Sequence, residues 1–348
     1  MRLPSMTGLA GIMLLVAVLA PCRAETVRET PQSRRLRAQF VNRFERARVA
    51  LEPSTTASEA RDGLVRETIT VASEAGVRVP VLVIRKSGSV SRAPAVVCLH
   101  GLGGNKEGLS GYLEEFARRG FVGVAIDARY HGARSGDLSK AMAESFRTGK
   151  EHPYLWDTVW DTWRVLDYLQ TRPDVDPERL GVMGISLGGH TTWMVSADSR
   201  VKVAVPCISV CSWRWQLDHH GYTQRVSNLQ GAFNSVRDAM GETEVNRKVV
   251  AAAWEKWLPG IPSKFDCQDV LAAFSPRPLL ILGGDTDPVA PLEGANEAFA
   301  AIRPAYARAG AADRLQIIIA EHSGHTVTPA QNDALFAWFE RWLKRKGT

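Results

Sequence analysis

The sequence predicts an α/β fold: a mostly parallel sheet covered by helices on both faces. Three observations predict it. From about residue 95 onward, short apolar runs alternate with longer segments of helical periodicity, the pattern of strand–helix units. Glycines gather where several of those runs end, at Gly101-Leu102-Gly103-Gly104, Gly184 to Gly189 and Gly283-Gly284. A chain of 348 residues that is 45% apolar suits one large α/β domain with an insertion, since such domains often exceed ~200 residues.

The N-terminus has the pattern of an export signal over residues 1–24. Arg2 supplies the positive start, Gly8 to Ala20 the apolar stretch, and Pro21-Cys22-Arg23-Ala24 a cleavage site after Ala24. The apolar run is short for a membrane span. Cys22 raises lipid attachment as an alternative, which Pro21 disfavours. A periplasmic or secreted protein without a stable membrane anchor is expected. Removing Arg2 and Arg23 lowers the formal charge from +6 to +4. Residues 25–64 form a basic segment with Arg34, Arg35, Arg37, Arg43, Arg46 and Arg48. Leu36, Phe40 and Phe44 recur in it at helical spacing, so it is expected to be helical, docked on the main domain with its charges solvated. No basic–aromatic pattern of a nucleic-acid module is present.

The main domain is expected over 65–348. Glu67–Ala72 and Val77–Ile84 read as an antiparallel hairpin. Ala95–Leu99 is a central strand, Leu109–Arg119 a helix and Val122–Ile126 a strand. Tyr154–Gln170 is a helix whose Trp156, Val159, Trp160, Trp163 and Leu166 form a core stripe. Leu180–Met183 and Val201–Val205 are strands around a helix. An insertion of about 208–273 follows. After it come a strand at Leu279–Leu282, a helix near Glu293–Arg308, a strand at Leu315–Ala320 and a closing helix at Pro329–Lys344.

Gly184-Ile185-Ser186-Leu187-Gly188-Gly189-His190 carries the chemistry. A serine between glycines at a strand-to-helix junction reads as a nucleophile elbow, a turn so sharp that both flanking positions require glycine. The turn aims the N–H of Leu187 at the reacting atom. His100-Gly101-Leu102-Gly103-Gly104 follows an upstream strand, where a second oxyanion donor is expected from the N–H of Leu102. It lacks the Gly-Lys-Ser/Thr ending of a phosphate loop. Downstream, Asp285-Thr286-Asp287 ends a strand and offers an acid, with Asp287 preferred and Asp285 in reserve. Glu321-His322-Ser323-Gly324-His325 offers a base, with His325 preferred over His322. A serine hydroxyl needs a base within hydrogen-bond reach, and imidazole held by a carboxylate supplies one near neutral pH. Ser186, Asp287 and His325 follow the chain order of one serine-hydrolase fold and not that of the others.

With these residues in place, the chain resembles the α/β-hydrolase superfamily over about residues 65 to 345. Within it, the chain looks like the broad group that contains dienelactone hydrolases, acetyl xylan esterases and the catalytic domains of prolyl-oligopeptidase-like enzymes. Asp127-Ala128-Arg129-Tyr130-His131-Gly132, Trp160 to Leu169, Val175-Asp176-Pro177-Glu178-Arg179-Leu180 and Ser275-Pro276-Arg277-Pro278-Leu279-Leu280 carry the resemblance further; the first and third of these turns are read as structural. The resemblance implies a serine esterase acting on short acyl esters, acetylated carbohydrates being the favoured class, with no metal or organic cofactor. The rivals are a serine peptidase of the prolyl-oligopeptidase type and a hydrolase fold that only binds.

The insertion contains Trp213, Trp215, Tyr222, Phe233, Trp254 and Trp257. It either caps the serine pocket, with Trp213 and Trp215 as a substrate wall, or packs onto the sheet. Cys98 reads as a core thiol. Cys207 and Cys211 have the choice of pairing with each other, or one of them with Cys267. No Cys/His spacing argues for a metal site.

Overall fold

A computed structural model describes residues 28–88, 91–134 and 136–344. The export signal expected over 1–24 lies outside them. Among the described residues the strands are β1 (Ser54–Arg61), β2 (Leu64–Glu74), β3 (Val77–Lys86), β4 (Ala93–Leu99), β5 (Val122–Ile126), β6 (Val175–Ile185), β7 (Val201–Cys207), β8 (Leu279–Gly284) and β9 (Leu315–Ala320). They form one sheet in the order β1-β2-β3-β5-β4-β6-β7-β8-β9. The pairs β1–β2, β2–β3 and β3–β5 are antiparallel. From β5 through β4, β6, β7 and β8 to β9 every pair is parallel.

Helices fill the connections: α1 (Pro31–Val41), α2 (Ser110–Arg118), α3 (Leu138–Thr148), α4 (Trp156–Thr171), α5 (Leu187–Val195), α6 (Trp213–Asp218), α7 (Thr223–Asn228), α8 (Gln230–Met240), α9 (Arg247–Trp257), α10 (Cys267–Phe274), α11 (Leu292–Arg308) and α12 (Pro329–Leu343). Strand β4 shows how the layers divide. Ala95, Val97 and Leu99 pack with α4, α5, α10 and α11. Val96 and Cys98 pack with Leu113 and Phe116 of α2 and with Phe336 and Phe339 of α12. Alternate residues of a strand face opposite ways, so helices cover both faces. That is why the central strands read as unbroken apolar runs.

The tryptophan stripe of α4 is core, as its spacing predicts. Trp156, Val159, Trp160, Trp163 and Leu166 are all buried. The indole N–H of Trp160 donates to the Ser73 carbonyl at 3.0 Å, and that of Trp163 to Val195 at 3.1 Å, so neither is buried unpaired.

The basic N-terminal segment docks on this face. Thr30 caps α1 by accepting from the Ser33 N–H, with Pro31 in the first turn. Phe40 and Phe44 are buried, and Phe44 stacks on Trp156 at 3.7 Å. Arg46 binds Glu74 and Asp157, and Arg48 binds Asp167, so part of the charge is neutralised inside the protein. Two details differ from the sequence expectation. Phe44 lies beyond the end of α1, and residues 54–61, inside the segment expected to be helical, form β1. Every side chain of β1 is exposed, so no buried face imposes an apolar period on it. Helix α3 likewise lies outside the elements that the sequence predicts. No helix among the described residues is long and apolar enough to cross a membrane.

The insertion folds as α6 to α10. Trp213, Phe233, Trp254 and Trp257 are at most 1% exposed and belong to the same apolar cluster as the sheet face beneath. Cys98, Cys207, Cys211 and Cys267 are all buried free thiols, so none of the pairings open in the sequence is formed.

Candidate active site

The site sits at the carboxyl ends of β4, β6, β8 and β9, where parallel sheets place their functional loops. Ser186 is the single residue between β6 and α5. Its backbone has φ 56° and ψ −112°, a conformation normally left to glycine. The surroundings hold it there. Its N–H donates to the Cys207 carbonyl at the end of β7 at 3.0 Å, and its carbonyl accepts from His190 N–H at 2.9 Å. A Cβ on Gly184 would overlap the Gly188 carbonyl, and one on Gly188 would overlap the Leu99 carbonyl of β4. Both glycines are therefore required by packing.

His325 bridges the serine and the acid. Its Nε2 is 2.7 Å from Ser186 Oγ, and its Nδ1 is 2.7 Å from Asp287 Oδ2. Asp287 is 3% exposed, and its other oxygen accepts from the N–H groups of Val289 at 2.8 Å and Ala290 at 3.1 Å. A carboxylate only accepts, so Nδ1 carries the ring proton and Nε2 presents a lone pair to the serine hydroxyl. Asp285 stands apart from this chain. It accepts from the N–H groups of His322 and Ser323, both at 3.0 Å, and those donors hold its carboxyl below the usual range. Asp285 thus shapes the loop that delivers His325, and His322 itself is exposed.

The two proposed oxyanion donors flank the serine. Leu187 opens α5, so its N–H is among the amides a helix leaves without an internal partner. The loop carrying Leu102 lies against the serine: a Cβ on Gly101 would stand 3.6 Å from Ser186 Cβ. His100 fixes that loop. Its Nε2 accepts from the Ala128 N–H at 3.1 Å, so its Nδ1 donates to the Gly101 carbonyl at 2.8 Å. Burial holds His100 below its ordinary range, which suits a ring that must accept at one nitrogen. Sequence reasoning missed a second tether. Lys106 is buried and gives both its N–H and its ammonium to Asp127, each at 2.8 Å. The sequence marks the Asp127 turn as structural, but nothing local pairs it with a lysine 21 residues upstream.

Trp213 is not the open substrate wall that its sequence context suggests, and Trp215 is half-buried. Trp213 is fully buried, edge-on to His190 and Trp254. Its ring lies 4.3 Å from the Arg225 guanidinium carbon. Trp215 stacks on His219 and crowds Gly294 of α11. Both bind the insertion to the body, and neither Trp213 face is free for a sugar. The insertion is also laced to the acid loop: Gln216 Nε2 donates to the Val289 carbonyl at 2.9 Å and Arg225 Nε to the same oxygen at 3.3 Å. Sequence signalled neither contact. Among the described residues no group of three or more metal-ligating side chains is gathered.

Comparison with known proteins agrees with this fold. YtaP of Bacillus subtilis (strain 168), which carries a hydrolase name, is 28% identical over 301 residues, 82% of this chain and 90% of its own length. Acetyl xylan esterase 1 from Thermoanaerobacterium sp. JW/SL YS485 shares the fold with a TM-score of 0.67 at 17% identity, covering 92% of this chain and 96% of that one. An acetyl xylan esterase from Paenibacillus sp. R4 does so with a TM-score of 0.64 at 19% identity, covering 89% and 92%. The model of the alpha/beta hydrolase family matches residues 96–338, a span that holds the elbow serine, the acid and the histidine, and the chain belongs to that family.

Proposed function

We propose that the chain is an exported serine esterase that hydrolyses short acyl esters, acetylated carbohydrates foremost. The observation that carries the reading is the hydrogen-bonded line from Asp287 through His325 to Ser186. In this mechanism His325 Nε2 takes the hydroxyl proton as Ser186 Oγ attacks the ester carbonyl. Asp287 stabilises the imidazolium and keeps the ring oriented. The N–H groups of Leu187 and Leu102 receive the negative charge that develops on the carbonyl oxygen, each worth roughly 3 kcal/mol of barrier. The imidazolium returns the proton to the departing alkoxide, leaving an acyl-serine. Water, deprotonated by the same histidine, then releases the acid.

One observation favours a short acyl group. The acetyl xylan esterases that share the fold bear names of short-acyl enzymes. The test is hydrolysis of p-nitrophenyl acetate, butyrate and octanoate by the mature protein beside Ser186→Ala. Turnover that favours acetate and vanishes in the variant is expected. Ser186-independent turnover, or none on any ester, would defeat the proposal and redirect testing to peptide anilides.

A further inference from the structure

Arg225 in α7 is a buried cation whose terminal nitrogens have no acceptor. The residue is 4% exposed. Its Nε holds the Val289 carbonyl, while Nη1 and Nη2 are both buried and unpaired. Trp213, whose ring the guanidinium covers, has an unpaired buried Nε1 as well. Three donors, one group of them fully charged, are thus buried together with nothing to receive their protons. A fold rarely tolerates an unpaired buried cation, and orphaned buried donors mark a place where an acceptor belongs.

Among the described residues no acceptor is bonded to them. Asp287 is engaged by His325 and two backbone N–H groups. Asp266 accepts from the N–H groups of Trp213, Arg214 and Cys267. Arg225 also acts on the imidazole of His190, the phenol of Tyr154 and the thiols of Cys211 and Cys267, none of them an anion.

The donors touch two neighbours of the triad, Val289 and His190. Val289, whose carbonyl Arg225 holds, gives its own N–H to Asp287. Trp213 lies edge-on to His190 at 5.3 Å, and His190 is bonded to the Ser186 carbonyl one helical turn away. We infer that Arg225, with Trp213 Nε1 beside it, receives a carboxylate carried by the substrate, so that the preferred esters are acidic ones such as acetylated uronic-acid residues. A planar guanidinium matches a carboxylate in shape and charge. The nitrogens are closed to solvent, so entry requires α7 to ease outward. That helix is six residues long and has no side-chain cap. The inference rests on the esterase reading.

The experiment compares kcat/KM for 4-acetoxybenzoate and for its uncharged methyl ester, with the wild-type chain, R225M and R225K. The wild type should favour the acid by about tenfold or more, R225M should bring the ratio to about one, and R225K should keep part of it. A wild-type ratio near one overturns the inference whatever the variants do. A ratio that survives in R225M also overturns it, even when both rates fall together, since Arg225 then only braces the Val289 loop. Benzoate serves as the free-anion arm: inhibition that requires Arg225, with a wild-type ester ratio of one, would assign the site to free carboxylates and not to substrate. If neither ester shows Ser186-dependent turnover, the esterase reading fails by itself. Calorimetric binding of 4-acetoxybenzoate to the wild type and to R225M then decides the carboxylate site, with loss of binding in R225M supporting it and equal binding overturning it.

Discussion

Asp287→Asn isolates the role of the acid, because the structure dictates how the amide must sit. One carboxylate oxygen accepts from the Val289 and Ala290 N–H groups, and the other faces His325 Nδ1. In the variant the amide oxygen has to stay with the two backbone donors, since an NH₂ group there would meet two N–H groups head-on. The NH₂ then points at Nδ1 and forces that nitrogen to accept. The ring proton moves to Nε2, where it faces Ser186 Oγ and removes the general base. A wrong tautomer of this kind lowers kcat by roughly 10⁴, or about 5.4 kcal/mol of barrier. Asp285→Asn leaves the tautomer alone and takes away one of the two side-chain oxygens that accept from the loop's N–H groups, so its kcat should stay within about tenfold of wild type. The assay is steady-state and burst-phase hydrolysis of p-nitrophenyl acetate, with melting temperatures to confirm folding. Asp287→Asn retaining a tenth or more of wild-type kcat, or Asp285→Asn losing as much as Asp287→Asn, would refute the reasoning.

Trp213→Ala should destabilise the protein by about 3–5 kcal/mol, the cost of a large cavity in a packed core, read from the denaturant midpoint; an unchanged midpoint with a raised KM would restore the substrate-wall reading. Burial alone would raise the Asp161 carboxyl, but Arg134 and Arg129 reverse this and hold it below its usual range. Its stabilisation is therefore present above the unfolded value near pH 4 and is lost as pH falls through the lower folded value. Asp161→Asn should cost about 3–5 kcal/mol at pH 7 and show a flatter loss of stability from pH 4 downward; curves that fall in parallel would exclude this residue as the cause. Burial first, and then Arg225, push His190 well below its ordinary range. The unfolded chain takes up a proton below about pH 6.5 that the fold refuses, so stability should fall with pH there by up to ~1.4 kcal/mol per unit. His190→Gln should remove that slope, and a slope that persists would assign the proton uptake elsewhere.

What was legible in the sequence was mostly local or imposed by the sheet. The elbow could be read because Gly184 and Gly188 answer to steric overlap within a few residues of Ser186. The central strands could be read because burial on both faces leaves unbroken apolar runs. Strand β1 could not, since a sequence of Ser, Thr, Ala, Glu and Arg with every side chain in solvent has no period to detect. The tryptophans of the insertion announced a large apolar surface, but composition does not say which way a ring faces, and Trp213 turned inward. The Lys106–Asp127 and Arg225–Val289 contacts join residues 21 and 64 positions apart. Such pairings depend on the three-dimensional arrangement of loops and leave no local trace.

The backbone angles of Ser186 set activity and durability against each other. A side chain is held at φ 56° by neighbours that outvote its own preference, and such residues cost of order 1–3 kcal/mol. Relaxing the corner with glycine would therefore be expected to yield a protein that melts later and catalyses nothing. Selection for thermal resilience alone, acting on this chain, would erode the nucleophile first.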